Sequence, residues 1–302
     1  MTISHNITNG IEILAAENDS LRFEIAPALG GKITSIYNKL LGKEFVWNNK
    51  NFSLKMSEAG ADYESNFWGG IDELIPNDIS ENIDSINYPD HGELWTTALE
   101  YDITGDQIVV HGLLPLSKLY YTKALCLDDA SPSIRLDYKI VNTSEERRHF
   151  MWKLHAALVI EEGDQLMTSA RKARDVYPPS ARAVQAGEFP WPMRGNSDVS
   201  LVPPYNHSLE FFYLYDIKQA QMRLVNARRG HSFEYSYDKS VFPYQWYFAS
   251  YGGFRDHYTA ILEPSSTMPV SVNEAMESGQ CSILDPGQEI NTSVHIYAGK
   301  II

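Results

Sequence analysis

Cysteine is nearly missing from this chain: there are two in 302 residues, Cys126 and Cys281, each inside an apolar strand-like run. Two thiols without a repeated spacing exclude a disulfide framework and a cysteine-ligated metal site. They are expected to be buried and reduced, which suits a reducing compartment. Positive charge is also scarce, with 25 lysines and arginines against 39 acidic residues and a formal net charge of −14. That balance argues against nucleic acid and anionic membranes as partners. A neutral small molecule fits the field better than a polyanion does, although ordinary solubility charge is the plainer account of the balance. No uncharged apolar run approaches the length of a membrane span. The opening Met1-Thr2-Ile3-Ser4-His5-Asn6 has no basic stretch followed by an apolar one, so no secretory signal is read and a cytoplasmic protein is expected. Neither a G-x-G-x-x-G nor a Walker loop occurs, and serine hydrolysis finds no G-x-S-x-G elbow.

What the chain does have is short alternation. In Ser133 to Ile140, the residues Ile134, Leu136, Tyr138 and Ile140 share one face and charged residues hold the other. Ile290, Thr292, Val294 and Ile296 alternate with polar neighbours in the same way. Period-two patterns of this kind predict half-buried antiparallel strands. Leu21 to Ile25, Lys32 to Tyr37, Gln107 to Val110, Leu119 to Leu127 and Glu210 to Tyr215 read alike, and Gly, Asn, Asp and Pro clusters separate them. Eighteen tyrosines and 12 phenylalanines favour sheet over helix. Only Gly163 to Val176 hints at a helix, which Pro178-Pro179 would end. Tyr177 to Tyr205 is rich in proline, glycine and polar residues, and reads as a long loop or as a linker. The expectation is one all-β domain over 1–302, a large antiparallel β-sandwich with few short helices. A two-domain split near residue 180 is the alternative.

Three residues stand out as carriers of chemistry. His91 sits in the turn Tyr88-Pro89-Asp90-His91-Gly92-Glu93. His155 follows Trp152-Lys153-Leu154, where alternation places Lys153 and His155 on one face, opposite Phe150, Trp152 and Leu154. Glu263 closes the strand-like Tyr258-Thr259-Ala260-Ile261-Leu262 before Pro264, and is expected to project from a strand terminus. Imidazole with carboxylate is the minimal set for moving protons at neutral pH. Each residue also has a plain alternative as a satisfied strand histidine, an exposed turn histidine or an exposed strand-end carboxylate. Phe67-Trp68-Gly69-Gly70-Ile71-Asp72-Glu73 joins an aromatic platform to two acids, a set that suits a pyranose; a loop with a partly buried tryptophan is the alternative. Arg228-Arg229-Gly230-His231 reads as a charged hairpin turn rather than a phosphate site.

Taken in order, these segments resemble the aldose 1-epimerase (galactose mutarotase-like) superfamily. Phe23 to Ile36, with its Gly30-Gly31 pair, is similar to that family's first hairpin, and Leu284-Asp285-Pro286-Gly287-Gln288 is similar to its near-terminal turn. Pro89-Asp90-His91-Gly92, Trp152-Lys153-Leu154-His155 and Ile261-Leu262-Glu263-Pro264 fall where the family carries its two histidines and its base. The N-H-x-x-F signature of the galactose enzymes is absent, so the chain looks closer to divergent branches. The resemblance implies a supersandwich with a sugar cleft, no cofactor and no metal. It further implies Glu263 as base, protonated His155 as acid, and His91 as a helper at the ring oxygen. Asp72, Glu73, Trp68, Lys153 and Trp246 are the implied substrate contacts. The implied partner is a small-molecule sugar, bound by a monomer or homodimer. The rival reading is a non-catalytic carbohydrate-binding or sugar-sensing protein on the same fold.

Overall fold

The alternating segments are strands. In Ser133–Asn142, Ile134, Leu136, Tyr138 and Ile140 are buried while Arg135 and Lys139 face solvent. Leu21–Ala26, Lys32–Asn38 and Leu119–Leu127 follow the predicted spans to within a residue. The computed structural model describes residues 2–176 and 187–301. Its helices are short, Tyr63–Asn66 and Val272–Glu277, each started by a side-chain cap, Asp62 on Ser65 N and Ser271 on Glu274 N. Among the described residues, no helix is long and apolar enough to cross a membrane.

Two large antiparallel sheets carry the architecture. A 12-stranded sheet runs from Thr2–Thr8 at one edge through Ile11–Glu17, Leu21–Ala26, Lys32–Asn38, Ile71–Leu74, Lys153–Val159, Tyr258–Ser265, Tyr244–Tyr251, Ser208–Tyr215 and Lys172–Asp175 to Glu188–Pro190, with Lys43–Glu44 as the twelfth strand, paired to Lys32–Asn38 off this path. An 8-stranded sheet runs from Gln165–Thr168 through Gln221–Asn226, His231–Ser236, Glu289–Lys300, Ser133–Asn142, Leu119–Leu127 and Gln107–Leu113 to Glu100–Thr104. Their inner faces pack on each other, and one contiguous apolar cluster extends from Leu14 through Phe23, Trp152 and Phe212 to Ala298. This core is not purely apolar. Lys123 Nζ lies 2.8 and 3.0 Å from the two oxygens of Glu73, and donates to Gly31 O at 2.7 Å. Tyr138 donates to the same carboxylate at 2.6 Å. Both charges are buried, and a buried charge persists only when it is paired and hydrogen-bonded.

Three expectations need correction. Gly163 to Val176 contains no helix but two strands, Gln165–Thr168 and Lys172–Asp175, which pair with Gln221–Asn226 and Ser208–Tyr215. Non-local pairing that buries Leu166 and Ala173 overrides the weak local helical pattern. In the Tyr177 to Tyr205 stretch, residues 177–186, with Pro178-Pro179, lie outside the described residues. The remainder is no linker: Glu188–Pro190 extends the large sheet, and Phe189, Val199 and Val202 enter the shared core. The two cysteines are free but half-buried rather than buried. Cys126 lies on the face of its strand that turns away from the core, and burial pushes both thiols above their ordinary range.

Candidate active site

Strand alternation sends Phe150, Trp152 and Leu154 into the inter-sheet core and leaves Lys153 and His155 on the outer face of the 12-stranded sheet. Asp72 lies opposite His155 on one side. On the other, Lys153 is opposite Ser265 and Ala156 is opposite Leu262, a constant register that sets Glu263 opposite His155. The ladder opens between those rungs, where Pro264 has no N–H to give. Glu263 in turn opposes Trp246, and Trp246 opposes Tyr213. One row across five strands therefore reads Asp72, His155, Glu263, Trp246, Tyr213. A parallel row contributes Ile261, Phe248 and Phe211, the apolar half of the floor.

A cavity of about 80 Å³ lies over these rows, walled by Tyr63, Phe67 and Phe254, with His91 at its side. The His91 turn is held by backbone geometry. His91 has φ +60° and its N–H donates to Asp78 O at 2.7 Å. Gly92 follows at φ +72°, where a Cβ would stand 2.2 Å from Ile75 O, so only glycine fits. The imidazole stacks on Tyr63, with centroids 4.0 Å apart and planes 9° from parallel, and its Nδ1 is 2.8 Å from Asp90 Oδ2.

The electrostatics centre on one cation between two carboxylates. Lys153 Nζ is 2.6 Å from Asp78 Oδ1 and 2.7 Å from Glu263 Oε2, and rests 4.1 Å above the Trp246 ring. Burial alone would strip the proton from Lys153, but the two carboxylates outweigh it and raise its pKa. Burial pushes the Glu263 carboxyl up from its ordinary value against the opposing pull of Lys153. His155 moves the other way. Burial, reinforced by the charges of Lys153, His91 and Lys32, holds it well below the ordinary imidazole value, so it rests neutral at pH 7. Behind it, Tyr63 donates to Asp72 Oδ2 at 3.0 Å and lies 3.4 Å from His155 Nδ1. Lys32 Nζ secures the same Asp72 oxygen at 2.6 Å and donates to Gly69 O at 2.9 Å. Burial and the Asp72 charge keep the Tyr63 phenol protonated.

His91, His155, Glu263 and Lys153 thus meet at one cavity. Glu263 is not at a strand terminus: its strand continues to Ser265, and the residue is 1% exposed. The protonated His155 expected from the sequence is not the resting state, because burial and the nearby Lys153 and Lys32 charges disfavour the imidazolium. Asp72 stands one layer back, behind Tyr63. Trp246 is fully buried beneath Lys153, its Nε1 donating to Thr267 O at 2.8 Å. Glu73 points through the sheet to Lys123 in the core, since neighbours on a strand face opposite ways. Trp68 lines a different cleft, with Asn48 and Leu54. Sequence reasoning missed Tyr63 and Asp78, which come from a four-residue helix and a bend, both too short to show periodicity. It also missed Phe211 and Phe248, whose shared face is fixed only by cross-strand register. Among the described residues, no group of three His, Cys, Asp or Glu is arranged to hold a metal ion.

No protein-family profile matches the sequence, and no curated protein matches it. Solved structures do resemble it. The Slr1438 protein of Synechocystis sp. PCC 6803 superposes with a TM-score of 0.73 at 16% identity, covering 99% of this chain and 96% of its own. A galactose mutarotase-like protein of Clostridium acetobutylicum gives 0.69 at 14% identity, covering 99% of both chains. A galactose mutarotase related enzyme of Lactobacillus acidophilus gives 0.68 at 12% identity, covering 94% of this chain and 96% of its own. At these identities the likeness is one of fold, and in fold the chain is a galactose mutarotase-like antiparallel β-sandwich.

Proposed function

We propose that the protein is an aldose 1-epimerase-like isomerase that interconverts the α and β anomers of an aldose. The observation that carries the reading is the row in which His155 and Glu263 face one cavity from adjacent strands. Anomer exchange needs one proton for the two groups. In the minor form that carries this proton on His155, Glu263 as carboxylate takes the proton of the C1 hydroxyl while the His155 imidazolium delivers its own to the ring oxygen, and the ring opens to the aldehyde. After rotation about C1–C2 the transfers reverse. A symmetric reaction of this kind is served by an acid and a base of similar proton affinity. Burial moves the pair in that sense, Glu263 up and His155 down. His91, held flat on Tyr63, contacts the ring oxygen or a neighbouring hydroxyl, and Phe211 and Phe248 meet the sugar's C–H face. No cofactor is required, and the free thiols and negative charge suit a cytoplasmic enzyme.

The test is exchange of anomeric protons by saturation-transfer NMR over a panel of aldoses, with polarimetry. Glu263→Gln is expected to abolish exchange and spare binding; unchanged turnover would sink the assignment. One observation favours the rival of a non-catalytic sugar-binding protein, namely the ion pair that ties Glu263 to Lys153. Binding in the wild type without exchange above the buffer rate would decide for that rival.

A further inference from the structure

A second cleft opens on the same outer face of the 12-stranded sheet, over Ile11–Glu17, Leu21–Ala26 and Lys32–Asn38. Its volume is about 430 Å³, against about 80 Å³ for the cavity over His155. Ile13, Glu24 and Thr34 form the floor; the 48–54 loop and Trp68 close over it. The two cavities share a wall one strip thick. Asn49 N donates to Trp68 O at 2.8 Å and Gly70 N to Trp47 O at 2.9 Å, so residues 47–49 and 68–70 run side by side. Gly69 lets them close, since at φ +92° a Cβ there would stand 2.4 Å from Trp47 O. Phe67 turns into the first cavity and Trp68 into the second, although their Cα atoms are only about 3.8 Å apart.

The lining matches a polyhydroxyl ligand. Trp68 presents a half-buried indole, Asn48 an amide, Lys50 an ammonium, and Glu24 a carboxylate that Arg22 holds by one oxygen; the Glu44 carboxylate is already taken up by Ser35 Oγ, Ile36 N and Val46 N. Thr34 is 4% exposed and its hydroxyl has no hydrogen-bond partner among the described residues. A buried hydroxyl left unpaired costs free energy that a ligand oxygen can recover. The net charge of −14 and the Glu24 carboxylate weigh against an anion, with Lys50 the one cation among the described lining residues. A pyranose instead sets its C–H face on an indole and its hydroxyls on carboxylate and amide.

We propose that this cleft is a second saccharide subsite, so that the protein's ligand is an oligosaccharide with one unit in the His155 cavity and the next across the strip, over Trp68. The proposal rests on the reading of the first cavity as a sugar site. The test is calorimetric titration with mono-, di- and trisaccharides of glucose, galactose and mannose, on the wild type, Trp68→Ala and Thr34→Val. At least one di- or trisaccharide is expected to bind about tenfold more tightly than its monosaccharide. That gain disappears in Trp68→Ala and shrinks in Thr34→Val, which keeps the side-chain shape and so the fold. Affinity independent of chain length, or a gain that survives both substitutions, overturns the proposal. Trp68-dependent oligosaccharide binding with no exchange of any anomer, of the monosaccharides or of the reducing ends of the oligosaccharides, would remove the epimerase reading and leave the subsite standing.

Discussion

Replacing Lys123 by methionine strips the inter-sheet core of its only partner cation for Glu73 among the contacts described. The ammonium lies 2.8 Å from the carboxylate and both side chains are essentially unexposed. At an effective dielectric of 20, that separation corresponds to a gross attraction of about 6 kcal/mol. Desolvation of the pair offsets much of it, yet removing one partner leaves the other charge buried, at a net cost of about 3–5 kcal/mol. Gly31 O also loses its donor. With a urea dependence of roughly 3 kcal/mol per M or steeper for a chain of this size, the unfolding midpoint should drop by about 1 M. The double variant Lys123→Met/Glu73→Gln neutralises the orphan and keeps an acceptor for Tyr138, so it should recover at least half of the loss. Urea titrations followed by tryptophan fluorescence read all three proteins. If Lys123→Met unfolds within about 1 kcal/mol of the wild type, or the double variant is no more stable than the single, the ion-pair account of this core is wrong.

Other outcomes follow from the site. Lys153→Met removes the cation that opposes the rise of Glu263. The carboxyl should then hold its proton to higher pH, shifting the acid limb of the anomer-exchange profile upward; an unmoved limb contradicts the pairing. His155 rests with its pKa depressed, so its contribution to stability is full above the unfolded value of about 6.5 and is lost as pH falls below it toward the folded value. Between about pH 7.5 and pH 5.5 the wild type should therefore lose more stability than His155→Gln, as melting temperatures will show. Gly92→Ala forces a side chain against Ile75 O at positive φ and should cost roughly 1–3 kcal/mol. It should also displace His91, raising KM for the sugar more than the loss of stability alone explains.

Much of this site was legible in strand periodicity. Alternation alone put Lys153 and His155 on the face opposite Phe150, Trp152 and Leu154, and the structure keeps that division. The same rule, applied strictly, separates Asp72 from Glu73 and Phe67 from Trp68, because strand neighbours and this strip's neighbours turn to opposite sides. Treating Asp72 and Glu73 as one patch was the error. Pro264 misled in another way. Proline usually ends a strand, but here it occupies a gap in the ladder, so Glu263 is interior. Tyr63 and Asp78 had no periodic signal, since a capped four-residue helix and a bend deliver them. Pairing between distant strands, which decides that Phe211 lies beside Phe248 and that 165–168 is strand, is set by the folded register rather than by any local pattern.

The row of Asp72, His155, Glu263 and Trp246 behaves as a rack of fixed pitch. Neighbouring strands lie about 4.8 Å apart, so the ladder spaces Asp72 from His155 and Glu263 from Trp246, and the rungs at Lys153–Ser265 and Ala156–Leu262 fix His155 against Glu263 where the ladder is open. Exchanging a residue on the rack changes which chemistry is offered, but hardly changes the spacing at which it is offered. The acid–base distance is therefore a property of the sheet and the identity of each group a property of the sequence. A designer could rewrite the second while leaving the first untouched.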